Sequence, residues 1–308
     1  MKNVNPYLVE GKDTFLQKRR GPIGIVPEIA FGSMPNDGGY FLLDNSEKEE
    51  LVKNESGSLK FIKPLLSAHE FLNGYKRWCI WLKGALPNEI KELKNIFERV
   101  NSVKAVRENS TREATKRLSK FPYLFGEIRQ PNTEYILVPR HSSENRTYIP
   151  IGFFSPDFIA SDSCLFIANA NKYHFGIMTS LMHMAWVKTT CGRIKSDFRY
   201  SNELVYNNFP WPENPTDKQK QTVESAAQNV LDVRAKFPDA SLADLYDPNT
   251  MPPELVKAHQ ALDKAVDLCY RPQPFINETK RIEFLFELYD KYTSGMFAVE
   301  KVKKKTSK

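Results

Sequence analysis

Apolar residues fall along the first two-thirds of the chain in short bursts, and along the last third at helical intervals. The bursts lie at 23–31, 40–43, 60–66, 77–82, 134–140, 147–154 and 164–168. Each is rich in aromatic or branched residues and bounded by Gly, Pro, Asn or Ser, the composition of strands separated by turns. Pro35-Asn36-Asp37-Gly38-Gly39 and Asn73-Gly74 are the strongest turn signals. Three stretches carry a helical period instead. Over 88–106, after Pro87, residues Ile90, Leu93, Ile96, Phe97 and Val100 share one face. Residues 109–119 read as a second and very basic helix, and 171–190 as a third that stops at Gly192.

The texture changes after Asn207-Asn208-Phe209-Pro210-Trp211-Pro212. Thr216 is placed to cap a helix whose inner face is Val223, Ala226, Ala227, Val230 and Leu231. Leu255, His259, Leu262, Val266 and Cys269 outline a second helix, and Asn277 caps a third with Ile282, Leu285, Phe286 and Tyr289 inward. The expected fold is α+β. Residues 21–212 form a β-rich domain with inserted helices, and 213–308 form a small all-α unit. Residues 1–20 are connecting chain.

Charge sharpens this division. The 308 residues carry a formal net charge of +7. From Glu213 onward 15 basic residues meet 15 acidic ones, which leaves 29 against 22 before that point. A basic front suggests a polyanionic partner, although a charged surface that only maintains solubility has the same composition. The four cysteines (Cys79, Cys164, Cys191, Cys269) are far apart and form neither a zinc ribbon nor a disulfide framework, so they read as buried thiols of a cytoplasmic protein. No apolar run reaches the ~20 residues that span a bilayer, and 1–10 holds no apolar signal core.

Catalytic motifs are missing. There is no strand–Gly-x-Gly–helix turn for S-adenosylmethionine, no Asn/Asp-Pro-Pro-aromatic loop for a flipped base, no Walker A loop and no paired histidines for a metal. His69, His141, His174, His183 and His259 stand singly. The chain is therefore expected to hold no cofactor, no metal and no catalytic residue of its own.

The segments VPEIAFGSMPNDGGYFLL (26–43), FIKPLLSAHEFLNGYKRWCIWL (61–82), PYLFGEIRQP (122–131) and SSENRTYIPIGFF (142–154) resemble the C-terminal part of MmeI-like restriction–modification enzymes. So do FGIMTSLMHMAWVKTTCGRIKSDFRYS (175–201), VYNNFPWP (205–212) and MPPELVKAHQALDKAVDLCYRPQPF (251–275), in the family's order and nearly end to end. The resemblance implies a target-recognition domain and a helical C-terminal unit, whose partners are double-stranded DNA and a methyltransferase domain of the same polypeptide, with or without a nuclease. That preceding domain would hold S-adenosylmethionine and methylate adenine N6. Asn5-Pro6-Tyr7-Leu8 resembles the link that leaves it. Two other readings remain: a complete DNA-modifying enzyme whose site is unrecognised, and a scaffold subunit that binds no DNA.

The most pointed stretch is 192–201. Lys195 and Asp197 are two apart, so in an extended segment both side chains leave on one face. A lysine donates to guanine O6/N7 and a carboxylate accepts from cytosine N4, so the pair could read one G·C base pair; an exposed ion pair is the alternative. The resemblance implies base reading at these two positions. Arg199 lies on the same alternation and would reach a neighbouring base pair. The resemblance further implies base contacts at Arg140-His141 and Asp162-Ser163. Arg193 and Arg146 are assigned to phosphates or to intramolecular pairing. Arg77, within Tyr75-Lys76-Arg77-Trp78, is a phosphate candidate on a stretch that also reads as a strand with one buried face. Arg107 precedes the basic helix of Arg112, Lys116, Arg117 and Lys120, either a phosphate-tracking or a solvated face.

Overall fold

The structure, a computed structural model, describes residues 3–305, with side chains as far as Ser294. It mixes helices with short strands, and its strands all precede Ser201 while long helices occupy the end of the chain. The α+β expectation holds. By contact the chain forms two compact units that interleave along the sequence: Met1–Ile29 with Arg140–Gly152 and Asn169–Lys308, and Ala30–Pro139 with Phe153–Ala168. Glu213 lies inside the first of these.

The second unit is built on two four-stranded sheets. One has the order Ile29–Phe31, Cys164–Ala168, Tyr135–Pro139, Gly152–Phe154; the other runs Leu42–Leu43, Trp78–Ile80, Ile62–Leu66, Ile159–Ala160. Tyr135–Pro139 pairs antiparallel with Cys164–Ala168 over five residues, and all five of its side chains are buried, as strands covered on both faces require. Phe41, Leu43, Ile62, Ile80, Ile96 and Val103 centre the unit's core.

Several expected elements are shortened or split, each for a visible reason. The strand foreseen at 23–31 is reduced to Ile29–Phe31, because Pro27 offers no N–H to a ladder and Ile25 is wholly exposed. The helix foreseen at 88–106 is two helices, Pro87–Glu92 and Lys94–Glu108, with Leu93 extended between them. Glu55 reaches across from another element to accept the Asn95 amide at 2.7 Å, which caps the second helix from outside. The basic helix is a single short turn region, Glu113–Leu118. The helix Asn45–Asn54 was not anticipated, although Asp44 and Glu47 form a full capping box at its start.

Arg107 overturns its sequence reading. It is 1% exposed, and all five of its N–H groups meet backbone carbonyls: Nε donates to Asn36, Nη1 to Leu118 and Phe121, Nη2 to Pro35 and Leu124, at 2.7–3.2 Å. One planar fork thus ties the Pro35–Gly39 turn to the chain after the basic helix.

In the first unit, Asp217–Ala235 packs on Pro253–Tyr270 and on Lys172–Met178. Thr216 caps its helix as expected and with Gln219 completes a capping box, and Asn277 accepts the Lys280 amide at 3.0 Å ahead of Glu278–Lys305. The single helix foreseen at 171–190 is again two, Lys172–Met178 and Leu181–Thr190. Ser180 caps the second, and its first amide, Leu181 N, donates to Asp263 at 2.7 Å. Residues before 20, expected as plain connecting chain, are pinned to this unit: Thr14 bonds Asp290, and Arg19 bonds Asn208. Trp186 lies at the aromatic centre with Phe209, Phe286 and Tyr289. Among the described residues no helix is long and apolar enough to cross a membrane.

Two outcomes follow for stability. Arg107→Lys, with three donors on a point charge, strands carbonyls that the guanidinium satisfied, and should lower unfolding free energy by about 2–4 kcal/mol in a urea titration. Burial, the largest cause, pushes the Asp263 carboxyl up to about 6, against ~3.9 when unfolded. A raised carboxyl stabilises the fold below its unfolded value and loses that contribution as pH climbs through its folded value. The stability of Asp263→Asn relative to wild type should therefore rise by ~2 kcal/mol between pH 4 and pH 7.5, measured by denaturant unfolding at each pH.

Candidate nucleic-acid interface

Gly192–Ile194 and Asp197–Arg199 form an antiparallel hairpin in the register Gly192↔Arg199, Arg193↔Phe198, Ile194↔Asp197. Lys195 and Ser196 are the two turn residues. Lys195 has φ +54°, the left-handed conformation that a two-residue hairpin turn demands of its first position. The expectation that Lys195 and Asp197 share a face through strand alternation is thus corrected: Lys195 opens the turn, and Asp197 is the first residue of the returning strand. Alternation does hold from Asp197 to Arg199, which are both exposed, while Phe198 between them is 1% exposed.

The hairpin is extended by a third strand. His141–Ser142 pairs antiparallel with Asp197–Arg199, setting Ser142 opposite Phe198 and His141 opposite Arg199, and Tyr200 N donates to Arg140 O at 2.8 Å. Glu144 N donates to Asp197 Oδ1 at 3.2 Å. The chain therefore brings Arg140, His141, Lys195, Asp197 and Arg199, five of the seven base-reading candidates, onto one small sheet.

The sheet is rooted in the helical core. Phe198 is buried under the Arg193 guanidinium, 4.0 Å from the ring centroid. Tyr200, 3% exposed, bonds through its hydroxyl to His183 Nε2 at 2.9 Å. Burial holds His183 down at about 3, so the ring is neutral and its partner is a simple hydroxyl. Polar side chains at the tip can stay solvated because apolar ones at the root are buried.

Electrostatics at the tip are mixed. Burial lowers the His141 imidazole from its ordinary value, with the charges of Arg140 and Arg199 adding to the effect and Asp197 opposing it. At neutral pH His141 is an uncharged donor–acceptor, and its Nε2 is buried with no hydrogen-bond partner. Exposed Lys195, Asp197 and Arg199 alternate positive, negative, positive. Such a set matches both donor and acceptor edges of base pairs.

The three arginines assigned to phosphates all have intramolecular partners. Arg193 donates to Ser196 O at 2.9 Å and to Lys188 O at 3.4 Å, bracing the turn. Half-buried Arg146 donates to Ser142 Oγ at 3.3 Å. Arg77, in the other unit, is paired with buried Glu70 at 3.1 Å. Asp162 and Ser163 also belong to that unit; both are half-buried, and Ser163 Oγ accepts the Ala68 amide at 3.0 Å. Sequence reasoning gave no role to Phe198, Tyr200, Ser142 and Glu144, because their partners (Arg193, His183, Phe198 and Asp197) are set by the folded backbone and not by spacing. Among the described residues no group of three His, Cys, Asp or Glu side chains could hold a metal ion.

A lysine in the left-handed region costs about 1 kcal/mol relative to glycine. Lys195→Gly should leave the urea midpoint unchanged or slightly raised. A clear loss of stability would show that the side chain supports the fold.

The family model for the MmeI target recognition domain matches residues 10–213, and that for the MmeI C-terminal domain matches residues 215–297. DNA methyltransferase A of Bacillus subtilis (strain 168) is 40% identical over 291 residues, covering 94% of this chain and 33% of that protein. The solved structure of the type IIL restriction–modification enzyme MmeI in complex with DNA superposes with a TM-score of 0.91 at 43% identity, over 95% of this chain and 39% of that one. This chain thus spans about a third of the length of these relatives. It belongs to the MmeI family, and carries that family's target recognition and C-terminal domains.

Proposed function

We propose that this chain is the sequence-reading module of a restriction–modification DNA methyltransferase, and that the hairpin tip reads base edges in the major groove of duplex DNA. The observation that carries this reading is the exposure of Lys195, Asp197 and Arg199 on a sheet whose root, Phe198 and Tyr200, is buried. Three charged side chains held out on a hairpin gain little for stability, since exposed ion pairs contribute at most about 1 kcal/mol. They are well suited to hydrogen-bonding bases.

Lys195 and Asp197 would specify one G·C pair, with the lysine on guanine and the carboxylate on cytosine. Arg199 would reach the neighbouring pair, and His141, with Arg140, would add a neutral donor–acceptor beside it. Asp162 and Ser163 would contact further bases. Arg193, Arg146 and Arg77 serve phosphates only if DNA draws them from their present partners. Methyl transfer from S-adenosylmethionine to an adenine amine, with base flipping, would fall to a methyltransferase domain of the same polypeptide in the cytoplasm. No residue of this chain would take part in the chemistry.

The test is a charge exchange. Duplexes bound by the chain are selected from a randomised library and sequenced, for wild type and for Lys195→Asp/Asp197→Lys. One G·C position should invert to C·G while other positions stay, with discrimination of roughly 1–3 kcal/mol at that pair. Binding should also weaken steeply with added salt. An unchanged selected sequence in the exchanged variant would remove the base-reading role.

A further inference from the structure

The strands that display the tip residues arrive from distant parts of the sequence, and one buried carboxylate bonds the segments that flank them. Asp263, 5% exposed on the helix Pro253–Tyr270, accepts through Oδ2 from the Tyr148 hydroxyl and through Oδ1 from the Leu181 amide, each at 2.7 Å. Tyr148 lies six residues beyond Ser142, the end of the strand beside the hairpin. Leu181 opens the helix Leu181–Thr190, which runs directly into Gly192. The two oxygens of Asp263 therefore hold the exit from one strand and the approach to the other.

Neighbouring contacts strengthen this hold. The Tyr148 ring stacks on His259 at 4.0 Å between centroids. Arg234 donates to Ile151 O at 2.7 Å and to the Tyr246 hydroxyl at 2.6 Å, and Tyr246 bonds His259 at 2.8 Å. All of these clamping residues come from the chain after Glu213. A hydrogen-bonded base contact tolerates only about 0.5 Å of misplacement before its geometry fails. The pairing of His141–Ser142 with Asp197–Arg199 spans just two residue pairs, too few to hold such tolerance unaided.

We infer that Asp263 is a positioning residue for sequence reading: through Tyr148 and Leu181 it sets where the His141 strand and the Lys195–Arg199 hairpin stand relative to each other. This rests on the base-reading role proposed above. The C-terminal helices are then part of the recognition apparatus rather than an appendage to it.

The test uses the full chain and compares Tyr148→Phe, Asp263→Ala and Asp263→Asn with wild type. Two affinities are measured well below the melting temperature: for the duplex that wild type selects from a random library, and for a duplex altered at the selected positions. Tyr148→Phe keeps the ring and its stacking but loses the bond. It should cut the ratio of the two affinities by roughly five- to tenfold, with affinity for the altered duplex unchanged. Asp263→Ala should cut it further. Asp263→Asn, which keeps an acceptor for Leu181 and a partner for Tyr148, should restore most of it. Val223→Ala, a core change elsewhere, serves as a control for lost stability alone and should leave the ratio unchanged. If folded Tyr148→Phe keeps the wild-type ratio, Asp263 is only a core hydrogen-bond acceptor and the inference fails; Tyr148→Phe decides even where Asp263→Ala does not fold. A wild-type chain that selects no sequence at all would instead overturn the base-reading role, and this inference with it.

Discussion

Phe198 is buried while Asp197 and Arg199 on either side of it face solvent. Strand alternation makes these one event: burying the ring under Arg193 obliges its neighbours to point outward. Slipping the pairing with His141–Ser142 by one residue would bury two charges and expose the ring, at a cost of several kcal/mol. That penalty keeps the small sheet in register, although its strands are only two and three residues long. Tyr200, bonded to His183, repeats the device one step closer to the core.

The same logic of polar groups satisfied inside the protein recurs away from the tip. Arg107 spends every donor on a carbonyl, and Asp263 divides its two oxygens between a hydroxyl and an amide. Neither residue sits in a salt bridge of its own. Each ties segments together through the hydrogen bonds of its side chain. Arg281 and Asp267, paired at 2.6 Å with little exposure of either, add a charged counterpart on the C-terminal helices.

Much of this was legible in the sequence, and the failures have physical causes. Thr216 and Asn277 announce their helices because capping is local chemistry, and Cys164–Ala168 is a strand with the bounds its apolar run suggests. The breaks at Leu93 and Ser180 were hidden. Their caps come partly from Glu55 and Asp263, residues remote in sequence, while the apolar period runs unbroken through both sites. The tip residues were grouped from the sequence as one extended run, whereas Lys195 and Ser196 form a turn. Lys195-Ser196 lacks the Gly or Asn that usually marks a two-residue turn, so nothing local separated hairpin from strand. Arg107 was read as surface because five carbonyl partners leave no trace in sequence.

The left-handed backbone at Lys195 narrows what can stand there. Glycine, asparagine and aspartate adopt such a conformation readily, whereas valine, isoleucine and threonine pay heavily for a branched carbon beside the carbonyl. Asp197 and Arg199 lie in ordinary strand geometry and carry no such restriction. Mutational drift at this fingertip is consequently uneven: two of its positions can sample any side chain that a paired strand accepts, and the third must choose from a shorter set that the peptide backbone dictates.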